Sequence, residues 1–208
     1  MIHKPLAVGL EGPCCAGKTT LARALLTELS GFSVGYVKCY SDHVGGGRFL
    51  PRPVPDSAAE DQHSLEALIA IESERIALPR REAKDVLLID RSAHTLLAHR
   101  YALDRMMKLG LFPYAKRFLE QSNIPVWPNP IMYLDLPQEL VLRRGKSKFP
   151  PNSLYTNAEF NRGIRSYFCH LAEQTEPKTI WLKAAQDLSE LTQLATAHLK
   201  TLILPRSV

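Results

Sequence analysis

The sequence predicts an α/β fold, with a five-stranded parallel sheet and helices on both faces. Three observations carry this. Strand and helix signals alternate along the chain, the pattern of a parallel sheet. The first apolar run, Leu6 to Leu10, ends at Glu11-Gly12 and enters a short loop that runs straight into a Leu/Ala-rich helical stretch, Thr20 to Leu29. A later run, Val86-Leu87-Leu88-Ile89, is apolar throughout, as a strand covered on both faces must be, and it ends in a carboxylate, Asp90.

The elements follow in order. A strand near residues 5–11 feeds a helix near 18–29, and a second strand lies near 33–39. A break from Tyr40 to Asp56 contains three consecutive glycines and three prolines, and a loop of that length inside a compact fold is often functional. The helix expected near 57–79 carries Leu65, Ile69 and Ile76 on one face, with Glu72 among them and Arg75 at the edge. The strand near 85–90 precedes helices near 92–108 and 112–122. Strands near 130–136 and 179–184 alternate with helices near 137–145, 157–174 and 187–202. No repeat or long linker divides the 208 residues, so they form one expected domain, 1–208, with an acceptor-binding region about 40–80.

Residues 12–19 read Gly-Pro-Cys-Cys-Ala-Gly-Lys-Thr and fit G-x-x-x-x-G-K-[ST] in its proper strand–loop–helix context. Gly12 and Gly17 let successive N–H groups turn inward around a phosphate. The helix beginning near Lys18 aims its positive end at the same anion. Lys18 is suited to the β- and γ-phosphates, and the Thr19 hydroxyl to Mg²⁺. Gly12, Pro13, Cys14, Cys15, Ala16, Gly17, Lys18, Thr19 and Thr20 are therefore the expected triphosphate-binding residues. This specifies the α/β fold further as a three-layer P-loop NTPase fold.

Bulk properties limit the partners. The apolar share of 45% and charged share of 23% are those of a soluble globular protein. A net charge of +5 suits anionic small molecules, and the scattered basic residues give no nucleic-acid surface. The start, Met1-Ile2-His3-Lys4-Pro5, has no secretory apolar segment, and no run approaches the ~18 apolar residues of a membrane span, so a cytoplasmic location is expected. Cys14, Cys15, Cys39 and Cys169 match no zinc spacing.

Asp90 is placed to support Mg²⁺ or its water shell, or to cap the helix that follows. Arg91 and Ser92 follow it at the carboxyl end of the strand, where ligands bind in open α/β sheets. Glu72 in an apolar stripe needs a partner: a polar ligand, or Arg75 three residues on. Asp42 enters the Gly/Pro-rich loop either as a proton acceptor for a substrate hydroxyl or as a turn residue. Arg143, Arg144, Lys146 and Lys148, followed by Pro150-Pro151, form a basic, proline-broken segment about 143–157. It is expected to be a mobile lid, with a solvated charge run as the alternative.

With these residues in place, the chain resembles the thymidylate kinase and deoxynucleoside kinase branch of the P-loop kinases. The shared elements are Glu11-Gly12 through Thr19, Arg75 late in the long helix, Asp90-Arg91-Ser92, and Met132-Tyr133-Leu134-Asp135-Leu136-Pro137 followed by Glu139 and Arg143-Arg144. The resemblance implies an ATP-dependent phosphotransferase acting on a nucleotide or nucleoside-like acceptor. Lys18 and Thr19 would hold ATP and Mg²⁺, with Arg75 and Arg91 on the acceptor. Arg144, with Lys146 or Lys148, would reach the transferring phosphoryl group, and Ala184, Ala185 and Gln186 would border adenine. Catalytic roles are thus expected for Lys18, Arg144 and Asp42, acceptor contacts for Asp42, Glu72, Arg75 and Arg91, and metal contacts for Thr19 and Asp90. The partner is a small-molecule acceptor, without nucleic acid or membrane; a homodimer stays open.

The departures lie where the acceptor is read. Cys14 stands where thymidylate kinases place an acid, Lys38-Cys39-Tyr40 replaces Arg-Glu-Pro, and the lid lacks an Asp-Arg pair. Two alternatives therefore remain: a kinase of a non-nucleoside metabolite or antibiotic hydroxyl, and a regulatory P-loop NTPase working through a partner, although no N-K-x-D base-reading motif follows a strand.

Overall fold

A computed structural model describes residues 4–204. Met1, Ile2 and His3, part of the N-terminal stretch considered above, lie outside the described residues. Five strands form one parallel sheet in the order β2-β3-β1-β4-β5. They are β1 (Leu6–Glu11), β2 (Val34–Val37), β3 (Val86–Asp90), β4 (Ile131–Asp135) and β5 (Thr179–Lys183). The central pairing sets Leu10 opposite Asp90, which brings the ends of β1 and β3 together.

The helices are α1 (Lys18–Glu28), α2 (Tyr40–His43), α3 (Ala58–Glu82), α4 (Ala93–Met107), α5 (Leu111–Gln121), α6 (Gln138–Gly145), α7 (Ala158–Ala172) and α8 (Leu188–Ile203). Helices α1 and α8 cover one face of the sheet, through Leu21, Leu25, Leu191 and Leu199. Helices α3, α4, α5 and α7 build the other layer, and Ile131 and Tyr133 of β4 pack into it. The three-layer arrangement is the expected one. Among the described residues no helix is long and apolar enough to cross a membrane.

Two boundaries differ from expectation. The break after β2 contains the short helix α2, whose Tyr40 is buried. Helix α3 runs three residues past Pro79, to Glu82. Its start is firm because the Ser57 hydroxyl accepts from the Glu60 N–H (3.2 Å).

Close packing of α3 on the sheet edge positions everything that follows. A Cβ on Gly35 of β2 would lie 2.3 Å from Pro79 O and 2.8 Å from Ala83 Cβ, so only glycine lets the two backbones meet. Gly35→Ala is expected to lower stability by about 1–3 kcal/mol, the range of overpacked cores, as measured by urea unfolding. An unchanged midpoint would show that α3 does not rest on β2 this way.

Candidate active site

The loop after β1 has the conformation that its glycines were expected to permit. Gly12 has φ 133° and Gly17 has φ 93°. A Cβ on Gly12 would also lie 2.5 Å from Leu134 O, so position 12 needs glycine for space as well as for its dihedral. Cys15 adopts a left-handed φ of 63° between them. The first helical hydrogen bond of α1 is Leu21 N–H to Gly17 O (2.8 Å), so the N–H groups of Lys18, Thr19 and Thr20 have no helical partner. These donors and the helix dipole make an anion site.

Lys18 lies folded into this loop. Its Nζ donates to Gly12 O (3.0 Å) and Pro13 O (2.6 Å). Burial, and then the nearby Arg91 charge, lower its pKa to about 8. An anion in the loop would relieve both effects by neutralising the charge.

Thr19 and Asp90 meet across 71 residues of sequence. The Thr19 hydroxyl donates to Asp90 Oδ2 at 2.5 Å. Asp90 is fully buried, and its Oδ1 has no hydrogen-bond partner among the described residues. An orphaned carboxylate oxygen beside a threonine hydroxyl suits Mg²⁺ or its water shell. No cluster of three or more His, Cys, Asp or Glu among the described residues could hold a metal ion.

Arg91 follows with a left-handed φ of 67°, and its Nη2 donates to Cys14 Sγ (3.2 Å). Backbone strain held in place at this point is typical of functional sites. Ser92 caps α4, and its N–H and hydroxyl both donate to Glu11 Oε1 (2.8 and 2.6 Å). The Thr95 hydroxyl donates to Glu11 Oε2 (2.5 Å). Burial raises the Glu11 pKa against these hydrogen bonds. Glu11 thus fastens the start of α4 to the end of β1, a role not assigned from the sequence.

Glu72 and Arg75 form the internal pair that was the alternative to ligand contact. Arg75 Nε donates to Glu72 Oε2 at 2.5 Å, and both side chains are almost wholly buried. The rest of the guanidinium is spent on main-chain carbonyls: Lys38 O (2.7 Å), Asp90 O (3.4 Å) and Arg91 O. Its face lies 3.9 Å from the centre of the Tyr40 ring. Neither residue lines the cavity described below. Asp42 is also displaced: it is exposed at the end of α2 and does not line that cavity.

That cavity, of about 550 Å³, opens beside the phosphate loop. Its wall near the loop includes Glu11, Gly12, Pro13, Cys14 and Arg91. Asp61 of α3 and Arg100 of α4 also line it and pair with each other at 3.0 Å, and both are buried. His99 is partly buried beside them. Burial, and then the charges of Arg100 and Arg91, push its pKa down to about 3, so the ring is neutral. Asp61, His99 and Arg100 were missed from the sequence. The α3 stripe offered a signal, because Asp61 precedes Leu65 by four residues on the same face.

The basic segment divides. Arg144 is half-buried and donates to Cys15 O (3.3 Å) and Ala184 O (3.4 Å), so it bridges the phosphate loop and the turn after β5. Lys148 and Phe149 line the cavity. Arg143 and Lys146 are exposed. Of the residues expected to border adenine, Ala184 is buried and Ala185 and Gln186 are exposed.

A parallel sheet with a G-x-x-x-x-G-K-T loop after its first strand, a carboxylate ending the neighbouring strand and Arg144 beside the loop is the arrangement of a P-loop α/β fold. The solved structure of thymidylate kinase from Candida albicans, a protein described as having broad substrate specificity, superposes on it with a TM-score of 0.70. The match covers 95% of this chain and 92% of that one at 16% sequence identity. No protein-family model matches the chain, and no curated protein matches it in sequence.

Arg75→Ala is expected to cost about 3–5 kcal/mol of unfolding free energy, because it leaves the Glu72 carboxylate buried and unpaired. Denaturant melts test this, and a loss below about 1 kcal/mol would contradict the structural role.

Proposed function

We propose that the chain transfers the γ-phosphoryl group of ATP to the phosphate of a nucleotide. One observation carries the choice of acceptor: the cavity beside the phosphate loop presents cations, and the two carboxylates that line it, Glu11 and Asp61, are already engaged by Ser92 and Thr95 and by Arg100. A hydroxyl acceptor needs a base to take its proton, whereas a phosphate oxygen is already anionic and needs cations to hold it. Asp42 is exposed and outside the cavity, Glu72 is bound to Arg75, and both Glu11 oxygens accept hydrogen bonds from Ser92 or Thr95. Arg91 and Lys148 line the same cavity.

The roles divide as follows. The N–H groups at the start of α1 and the Lys18 ammonium hold the donor's phosphates. Thr19 and Asp90 hold Mg²⁺, which when bound neutralises charge on those phosphates. Arg91 holds the acceptor phosphate and points it at the loop. Arg144 ties the loop to the adenine-side turn, and its guanidinium is close enough to the loop to stabilise charge that develops during transfer. Lys148 and Phe149 close the cavity and exclude water, which would otherwise compete as acceptor. Arg75 acts as a positioning residue, through the backbone of Asp90 and Arg91.

Lys18→Ala should reduce transfer by about 10²-fold or more while leaving the thermal midpoint close to that of the wild type, since one group that stabilises transferring charge is worth that much. Near-normal turnover in a coupled ADP assay would contradict the assignment of the loop. Arg91→Ala should raise KM for the nucleotide acceptor by about tenfold, the worth of a charge-assisted hydrogen bond, and change KM for ATP much less. Equal losses for the two substrates would remove Arg91 from the acceptor site.

A further inference from the structure

Helix α7 carries two opposite faces with different company. At about 100° per residue, Phe160, Asn161, Ile164 and Phe168 fall on one side, where they line the cavity beside the phosphate loop. Glu159, Arg162, Arg165 and Ser166 fall on the other side. There they line a second cavity, of about 480 Å³, together with Arg105 of α4. The frame of this outer cavity is rigid. A Cβ on Gly163 would lie 2.7 Å from both Cα and Cβ of Ala102, so α7 and α4 meet backbone to backbone.

The charges of the outer cavity are only partly answered. Arg165 is held by Asp135 (3.0 Å), and its guanidinium lies 5.2 Å from the centre of the Trp181 ring. Arg105 lies 5.9 Å from the centre of the Tyr101 ring. Arg105 and Arg162 make no ion pair among the described residues, although Glu159 lines the same cavity. Glu159 stands in the first turn of α7, where the helix dipole favours an acid. None of these residues has a part in the transfer described above.

We propose that the outer cavity between α4 and α7 is a second anion site, separate from the phosphate loop, and that it takes an oligophosphate chain. Two unanswered guanidiniums call for a ligand with at least two negative charges. A terminal phosphate offers three acceptor oxygens, enough for guanidinium forks from two helices and for the half-buried Ser166 hydroxyl. A carboxylate offers only two. The volume suits a small molecule.

The test is equilibrium dialysis of tripolyphosphate against the whole protein. Two molecules should bind per chain, one at Gly12–Thr19 and one in the outer cavity. Arg105→Gln/Arg162→Gln should weaken one of the two sites by about tenfold or more, the worth of a charge-assisted hydrogen bond, and leave the other unchanged. Arg80→Gln/Arg81→Gln removes the same charge from the exposed end of α3 and should leave both sites intact. Malonate should bind the outer site about tenfold or more weakly than tripolyphosphate. ATP, as a further probe, separates the sources of the chain. Tighter binding of ATP than of tripolyphosphate at the outer site supports a nucleotide as the carrier, and the reverse supports a free oligophosphate. Binding that Arg105→Gln/Arg162→Gln does not weaken overturns the proposal, as does an equal loss in the α3 variant, which would reveal diffuse charge alone. Malonate binding as tight as that of tripolyphosphate overturns the assignment to phosphate. Loss of phosphoryl transfer in Lys18→Ala with the outer site intact would show the two sites to be independent, as proposed.

Discussion

The Arg75 guanidinium, buried beneath the site, joins the segments that build it. It donates to the carbonyls of Lys38, after β2, and of Asp90 and Arg91, at the end of β3, while Glu72 neutralises it from the same helix. Tyr40 stacks on its face. A single rigid fork with several donors can satisfy several carbonyls at once, which a lysine ammonium in the same place could not match in geometry. The backbone turn at Arg91, with its left-handed dihedral, hangs from this fork. Whatever Arg91 holds is therefore positioned by a residue that makes no contact with it.

Glu11 performs the matching task on the other side of Arg91. Its three hydrogen bonds to Ser92 and Thr95 fasten α4 to the first strand, next to the loop that binds phosphate. On the proposed reading, donor and acceptor would share one boundary, the cavity wall made by Glu11, Cys14 and Arg91. In-line transfer needs the two substrates fixed relative to each other, and shared walls provide that without large motions. The basic segment adds charge here, with Arg144 touching the loop and Lys148 lining the cavity.

The fold and the backbone shape of the Gly12–Thr19 loop were legible in the sequence because their signals are local. The loop is contiguous, its glycines are demanded by backbone geometry, and Asp90 ends an uninterrupted apolar strand. The cavity beside the loop was less legible because its contacts join residues distant in sequence. Asp61 and Arg100 are 39 residues apart, and neither stands in a recognisable motif. Glu72 was correctly singled out as an anomaly in an apolar stripe, but spacing alone could not choose between a ligand and Arg75. The structure resolves that choice through the main-chain carbonyls that consume the remaining Arg75 donors. Asp42 was placed by its position after β2, and the unforeseen turn of helix there leaves it exposed.

The central claim is that a nucleotide phosphate, and not a hydroxyl, receives the phosphoryl group. The most direct measurement incubates the purified protein with ATP and Mg²⁺ against paired nucleosides and nucleoside monophosphates, and identifies the products by mass. ADP release should depend on a monophosphate, with a nucleoside diphosphate as product. Phosphorylation of nucleosides in preference to their monophosphates, or ATP hydrolysis that no acceptor accelerates, would contradict it.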